Sequence, residues 1–249
     1  MSTHASFTRI APHYDVLMSG VPYRMWVSYF ELLCEMVDHE PKKVLEACCG
    51  TGTVCRMLAA KGLAVTGVDK SAEMILAAKE KAETCGRDIA YFAQDIAEMN
   101  LSETFDTALS FFDSLNYITE PDRLRAALQR IACHLKPDGL LVFDLNTEYA
   151  FVNKLFDQEL MNKGAPIRYK WRSSYDSDKK LCTVRMEFWT NDPPESFVEV
   201  HVQRAHSPEE IRSWLKAAGF GDIRAYHSYS LERPRPTSDR VHYLARRIR

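Results

Sequence analysis

The sequence predicts a doubly wound α/β fold, with a mostly parallel seven-stranded sheet and a small antiparallel β insert after the fifth strand. Three observations predict it. Short apolar runs alternate with segments of helical periodicity as far as Asn146, the pattern of a parallel sheet covered on both faces. The first run ends in an acid and a glycine turn, Glu46-Ala47-Cys48-Cys49-Gly50-Thr51-Gly52. Beyond residue 166 the chain becomes β-rich, returns to one helix, and finishes on two strands.

The 249 residues, 46% of them hydrophobic, suffice for one large domain or for one domain carrying an inserted unit. The pattern divides them into a helical segment over 1–38, a sheet domain over 39–150 and 207–249, and an insert over 151–206. Lys and Arg total 32 against 34 Asp and Glu, a balance that gives no electrostatic footprint for nucleic acid or an anionic membrane. A small-molecule partner is therefore expected. The first six residues show no charged start followed by an apolar core, and no run approaches the length of a membrane span, so the expected location is cytoplasmic. Seven cysteines (34, 48, 49, 55, 85, 133 and 182) lie mostly in apolar periodic segments without any C-x-x-C, which fits free thiols and no metal site. Both a monomer and a homodimer are compatible with this composition.

The N-terminal segment carries His13-Tyr14-Asp15 and then Val21-Pro22, an entry to a helix on which Met25, Trp26, Tyr29, Phe30, Leu33, Met36 and Val37 fall at helical spacing. Val44-Leu45-Glu46 is the first strand, and Thr53 to Lys61 is a helix closed by Gly62. Leu63 to Val68 forms the second strand, ending at Asp69, and Ser71 starts a helix through about Thr84 that includes Met74. Ile89 to Ala93 is the third strand, followed by Gln94-Asp95-Ile96. Phe105 to Phe111, the fourth, delivers Phe112-Asp113-Ser114-Leu115-Asn116-Tyr117. A helix from Pro121 to Leu135 and a turn at Asp138-Gly139 lead into the fifth strand, Leu140 to Asn146.

The β-rich stretches 167–176, 181–190 and 196–205 read as a three-stranded antiparallel insert. In the third, Glu199, His201, Gln203 and Ala205 share one face and Val200, Val202, Arg204 and His206 the other. The polar residues there are either a solvated face or turned toward a substrate. Ser207-Pro208-Glu209-Glu210 is a capping signature for the last helix, which stops at Gly219, and strands from Ile223 to Ser230 and from Arg240 to Ile248 complete the sheet.

Open parallel sheets bind ligands outside the carboxyl ends of their strands, and here four successive strand ends carry an acid: Glu46, Asp69, Asp95 and Asp113. A glycine turn lets backbone approach a ligand, and the helix behind it offers free N–H groups and a positive dipole end. With Glu46 beside it, that turn suits a ligand bearing both a carboxylate and a cation. The glycine turn and Asp69 alone would also serve a dinucleotide enzyme, although such enzymes normally lack an acid at the position of Glu46.

The Glu46–Gly52 segment resembles the first motif of the class I S-adenosylmethionine-dependent methyltransferases, E/D-x-G-x-G-x-G, with Cys48 in place of the first glycine. The layout is similar to the glycine-type and amino-sugar N-methyltransferases, whose Rossmann-like sheet carries a β insert roofing the substrate pocket. The resemblance implies S-adenosylmethionine as cofactor, an N-terminal lid over 1–38 and a substrate cap over 151–206. It assigns cofactor contacts to Tyr14, Tyr23, Trp26, Glu46, Ala47, Cys48, Gly50, Gly52, Asp69, Lys70, Met74, Gln94, Asp95, Ile96, Phe112 and Asp113. Among these, Tyr14, Tyr23 and Trp26 are also readable as packing aromatics. Candidates for orienting a methyl acceptor or taking its proton are Tyr14, Asn116, Tyr117 and His201, the acceptor being a small molecule and an amine the favoured class. A non-catalytic binder of the same cofactor and an NAD-dependent oxidoreductase are the alternatives.

Overall fold

In a computed structural model, which describes residues 6, 7, 9–162, 164–191 and 194–248, the chain forms two sheets. The absence of a leader read from the first residues falls on 1–5, outside the described residues. Strands β1 (Lys43–Ala47), β2 (Ala64–Asp69), β3 (Ala90–Ala93), β4 (Phe105–Ser110) and β5 (Leu135–Asn146) lie parallel. Strands β10 (Phe220–His227) and β11 (Arg240–Arg247) add antiparallel at one edge, giving the order β10-β11-β5-β4-β1-β2-β3. Chain direction reverses its winding between β1 and β4, which opens a crevice at the carboxyl edge.

The central strands β1, β4 and β5 are mostly buried on both faces at the sheet's middle, so they carry apolar runs there rather than alternation. Val44, Val65, Leu109, Val142 and Leu244 face helices α2 (Tyr23–Glu35), α3 (Thr53–Ala60) and α4 (Ala72–Thr84). Leu45, Ala47, Val68, Leu141, Phe143 and Tyr243 face α5 (Pro121–His134) and α6 (Pro208–Ala217). The caps expected from sequence form: Ser71 Oγ accepts from the Met74 amide, and Ser207 with Glu210 makes a reciprocal capping box. No helix among the described residues is long and apolar enough to cross a membrane.

The insert has four strands rather than the expected three. β7 (Ile167–Asp176), β8 (Leu181–Thr190) and β9 (Ser196–Arg204) match the β-rich stretches, and β6 (Gln158–Leu160) pairs with β7 at the edge. The three residues of β6 are all exposed, so no buried periodicity marks them. Two further bounds differ: β5 starts at Leu135, directly after α5, and β10 starts at Phe220. Ile10 and Met18, flanking the short helix α1 (Tyr14–Leu17), pack into a third core with Trp171, Val184, Met186 and Phe188 of the insert. The N-terminal segment is thus seated on the underside of the small sheet, above the crevice.

Candidate active site

The turn after β1 is a run of left-handed residues at alternate positions: Cys48 at φ 61°, Gly50 at φ 53° and Gly52 at φ 70°. Cys48, which replaces the usual glycine, adopts the left-handed conformation itself, at a cost of about 1–2 kcal/mol. Nothing lies within 4 Å of the position a Cβ would take at Gly50, so that side of the turn is open. At Gly52 the same position falls 2.3 Å from the Tyr91 phenol oxygen, so Tyr91 on β3 fills the groove that the missing side chain leaves.

Asp69 pins the turn. Its Oδ2 accepts from the Gly50 amide at 2.9 Å and its Oδ1 from the Ser71 amide at 2.9 Å, joining the glycine turn to the start of α4. Burial raises its pKa, against the pull of those two amides. Glu46 lies behind the turn, 5% exposed, with Oε2 unpartnered among the described residues. Burial pushes its carboxyl up to about 7, while hydrogen bonds from Cys55 pull the other way.

These elements open on a cavity of about 340 Å³, within the range of roughly 300–1,000 Å³ usual for small-molecule sites. Of the residues predicted from sequence, Tyr14, Cys48, Gly50, Asp69, Lys70, Met74, Asp95, Ile96, Phe112, Asp113, Tyr117 and His201 line it. Its other walls combine apolar side chains of the N-terminal segment and of the insert, among them Phe7, Met18, Trp171 and Met186, with polar ones such as Arg123, Gln203 and Arg240.

Six expected residues are placed elsewhere, and Asn116 makes a seventh. Trp26 is 4% exposed, stacked on Tyr229 and packed against Phe112, because α2 carries it into the core under the sheet edge. Tyr23 packs on Trp26 in the same core. Glu46, Ala47 and Gly52 stand behind the lining residues of the turn, and Gln94 closes its own loop by accepting from the Asn100 amide at 2.9 Å. Asn116 is fully buried and its amide is used in structure: it donates to the carbonyls of Asn146 (3.1 Å) and Arg204 (2.8 Å) and accepts from the Asn146 amide (3.0 Å). It ties insert to sheet and has no reach into the cavity.

Sequence reasoning missed Arg240, Gln203, Arg123 and Glu199. Phe112 and Asp113 are both left-handed, at φ 65° and 49°, and such backbone persists only where its surroundings over-determine it. Here Asp113 accepts from Arg240 Nη2 at 2.8 Å and from Gln203 Nε2 at 2.6 Å, and its amide points at both oxygens of Asp144, 3.2 Å away. Arg240 also pairs with Asp144, so one guanidinium bridges two buried carboxylates. Its position was legible: the first residue of a strand antiparallel to β5 must lie at the carboxyl edge of the parallel strands. Asp95 is held by the Ala97 amide and by Arg123, each at 2.9 Å.

Strand β9 turns its polar face inward. Glu199, His201 and Gln203 are 0%, 2% and 3% exposed, while Val200 and Val202 are half-buried on the other side. The solvated-face reading of this strand is therefore wrong, because its neighbour is a polar-edged cavity rather than an apolar layer. Tyr117 Oη lies 3.0 Å from His201 Nδ1, and His201 Nε2 lies 2.8 Å from Glu199 Oε2. Burial raises the phenol pKa of both Tyr117 and Tyr14. The N-terminal segment is tied down at both ends: Asp15 accepts from Thr51 Oγ1 at 2.6 Å and pairs with Lys81 at 2.7 Å, and Glu199 accepts from amides of residues 7, 9 and 10. Among the described residues no cluster of metal-ligating side chains forms, and all seven cysteines are free thiols.

Residues 44–139 match the methyltransferase domain family. A Geobacillus sp. (strain WCH70) protein provisionally named a methyltransferase is 32% identical over 249 residues, covering 98% of this chain and 100% of its own. The crystal structure of an S-adenosylmethionine-dependent methyltransferase from Clostridium acetobutylicum superposes with a TM-score of 0.85 at 26% identity, covering 98% of this chain and 99% of that one. A Streptomyces fradiae protein named dTDP-3-amino-3,6-dideoxy-α-D-glucopyranose N,N-dimethyltransferase is 29% identical over 137 residues, about half of each chain (54% and 52%).

Proposed function

Because the chain belongs to the class I S-adenosylmethionine-dependent methyltransferases, we propose that it transfers a methyl group to a small-molecule amine held between the glycine turn and the β insert. The observation that carries this reading is the convergence, on one cavity, of the open glycine turn and Asp69, Asp95 and Asp113 with Tyr14, Tyr117 and His201 above them. The donor set fits the cofactor. Asp69 has lone pairs free for ribose hydroxyls beyond the two amides it accepts, Asp95 and Ile96 suit an adenine edge and face, and Gly50 leaves room for close approach.

When bound, S-adenosylmethionine supplies a methyl group on a positively charged sulfur. The protein's task is then to bring the acceptor into line and exclude water, and positioning of this kind contributes on the order of 7–11 kcal/mol. Phe7, Tyr14 and Met18 of the N-terminal segment cover the cavity as a lid, and Trp171, Val184, Met186 and Phe188 roof it as a cap. Tyr117 and His201 lie where they can orient the acceptor and take its proton. The aminosugar methyltransferase among the relatives supports an amine acceptor.

Isothermal titration with S-adenosylhomocysteine and NAD, in the wild type and Asp69→Ala, tests the cofactor site. Binding of the thioether, lost in the variant and absent for NAD, is the expected result. A panel of small amines and matching alcohols, assayed for release of S-adenosylhomocysteine, tests the acceptor class, and turnover confined to the alcohols would overturn the amine reading.

A further inference from the structure

We propose that Glu199 is the positioning residue of a Tyr117–His201 proton-accepting pair, and that the same carboxylate latches the N-terminal segment, so that closing the cavity and preparing its base are one event. The inference rests on the reading of this cavity as the site of methyl transfer. Glu199 is fully buried on β9, and a buried carboxylate persists only where donors replace the water it has lost. Four do so here. Oε1 accepts from the amides of Arg9 at 2.9 Å and Ile10 at 3.0 Å, while Oε2 accepts from the amide of Phe7 at 3.1 Å and faces His201 Nε2 at 2.8 Å. Burial alone would raise its pKa, but His201 and the amides of Ile10 and Phe7 outweigh that and hold the carboxyl below its ordinary value.

An ionised carboxylate can only accept, so His201 Nε2 carries a hydrogen, and in the tautomer with its single hydrogen there the ring turns its Nδ1 lone pair to Tyr117 Oη. Tyr117 then donates to His201, with Gln203 beside its phenol oxygen, and faces the cavity that both side chains line. In the transfer step the acceptor's lone pair forms the new bond to the methyl carbon, and the carbon–sulfur bond breaks with its electrons going to sulfur. Tyr117 takes the acceptor's proton while passing its own to His201 Nδ1. Charge balances, because the positive charge leaving sulfur reappears on an imidazolium paired with Glu199.

The three amides on Glu199 belong to the segment that also lays Phe7 against the pair, its ring centroid 5.1 Å from Tyr117 and 4.6 Å from His201. Lifting that segment would strip three donors from the carboxylate at once. A base assembled only under the closed segment does not act on an open site.

The test uses ring-15N-labelled histidine and backbone amide exchange in the wild type, Glu199→Gln and Tyr117→Phe, each with and without S-adenosylhomocysteine. In the wild type His201 is expected as the Nε2–H tautomer, with slow exchange at Phe7, Arg9 and Ile10. The near-isosteric Glu199→Gln should move His201 away from that tautomer and speed the three amides by about tenfold or more, while S-adenosylhomocysteine affinity stays within about threefold. Tyr117→Phe should leave both the tautomer and the amides as in the wild type. An Nε2–H tautomer unchanged in Glu199→Gln, or amides there no faster than wild type, would overturn the proposal. Should Glu199→Gln fail to fold, the wild type decides alone: an Nδ1–H tautomer or unprotected amides at those positions refute it. Failure of S-adenosylhomocysteine to bind the wild type would instead refute the methyl-transfer reading, since tautomer and exchange are also read without it.

Discussion

Glu46 makes stability depend on pH in a direction opposite to most carboxylates. It is 5% exposed with Oε2 unpartnered among the described residues, and burial lifts its carboxyl from an ordinary 4.5 to about 7. At about 1.36 kcal/mol per pKa unit, that gap corresponds to about 3 kcal/mol. The folded state holds the proton more tightly than the unfolded state, so the contribution is fully present below about pH 4.5 and is lost as pH rises through about 7. Glu46→Gln keeps the shape and removes the titration. Urea unfolding of both proteins in pH steps gives the assay, because titrations common to both cancel in the difference. The variant should gain about 3 kcal/mol on the wild type between pH 4.5 and pH 7.5, growing most steeply between the two pKa values. A difference that stays flat with pH would refute the claim that burial outweighs the Cys55 hydrogen bonds and lifts this carboxyl.

Three further outcomes are expected. Gly52→Ala should lower stability by about 2–4 kcal/mol, because the alanine would be left-handed and would meet the buried Tyr91 ring; Gly52→Ala with Tyr91→Phe should recover part of this in a double-mutant cycle of thermal melts. Tyr91→Phe alone should be neutral or stabilising, since its hydroxyl is buried without a partner among the described residues, and calorimetry reads the sign. Arg240→Met should destabilise by about 3–5 kcal/mol in chemical denaturation, because it leaves Asp113 and Asp144 as two buried carboxylates around a lost cation.

The sheet was legible because its physics is local. Burial on both faces makes Val44-Leu45 and Leu140 to Phe143 unbroken apolar runs, and the acids at Asp69, Asp95 and Asp113 mark the edge where strand ends meet the cavity. The insert was legible in outline but not in orientation. Alternation separates Glu199, His201 and Gln203 from Val200 and Val202, yet which set faces inward depends on whether the layer below is core or cavity, and that layer is supplied by residues 7, 10–18 and 112–117. Trp26 failed for a related reason. A Tyr-x-x-Trp pair reads alike on a lid and on a core helix, and only the docking of α2 beside Phe112 and Tyr229 decides between them. Asn116 was read as reactive because it follows the fourth strand, but the hydrogen bonds that occupy it come from residues 30 and 88 positions away.

The bridge from Arg240 to Asp113 spans 127 residues of sequence, and the bond from Phe7 to Glu199 spans 192. The cavity therefore has no fragment that contains it, and its walls cannot close during synthesis until β11 has emerged and paired beside β5. Non-local closure of this kind is slow, and it exposes the inward polar face of β9 until the end. In a growing chain, cofactor affinity would appear in one step, once β11 has paired beside β5.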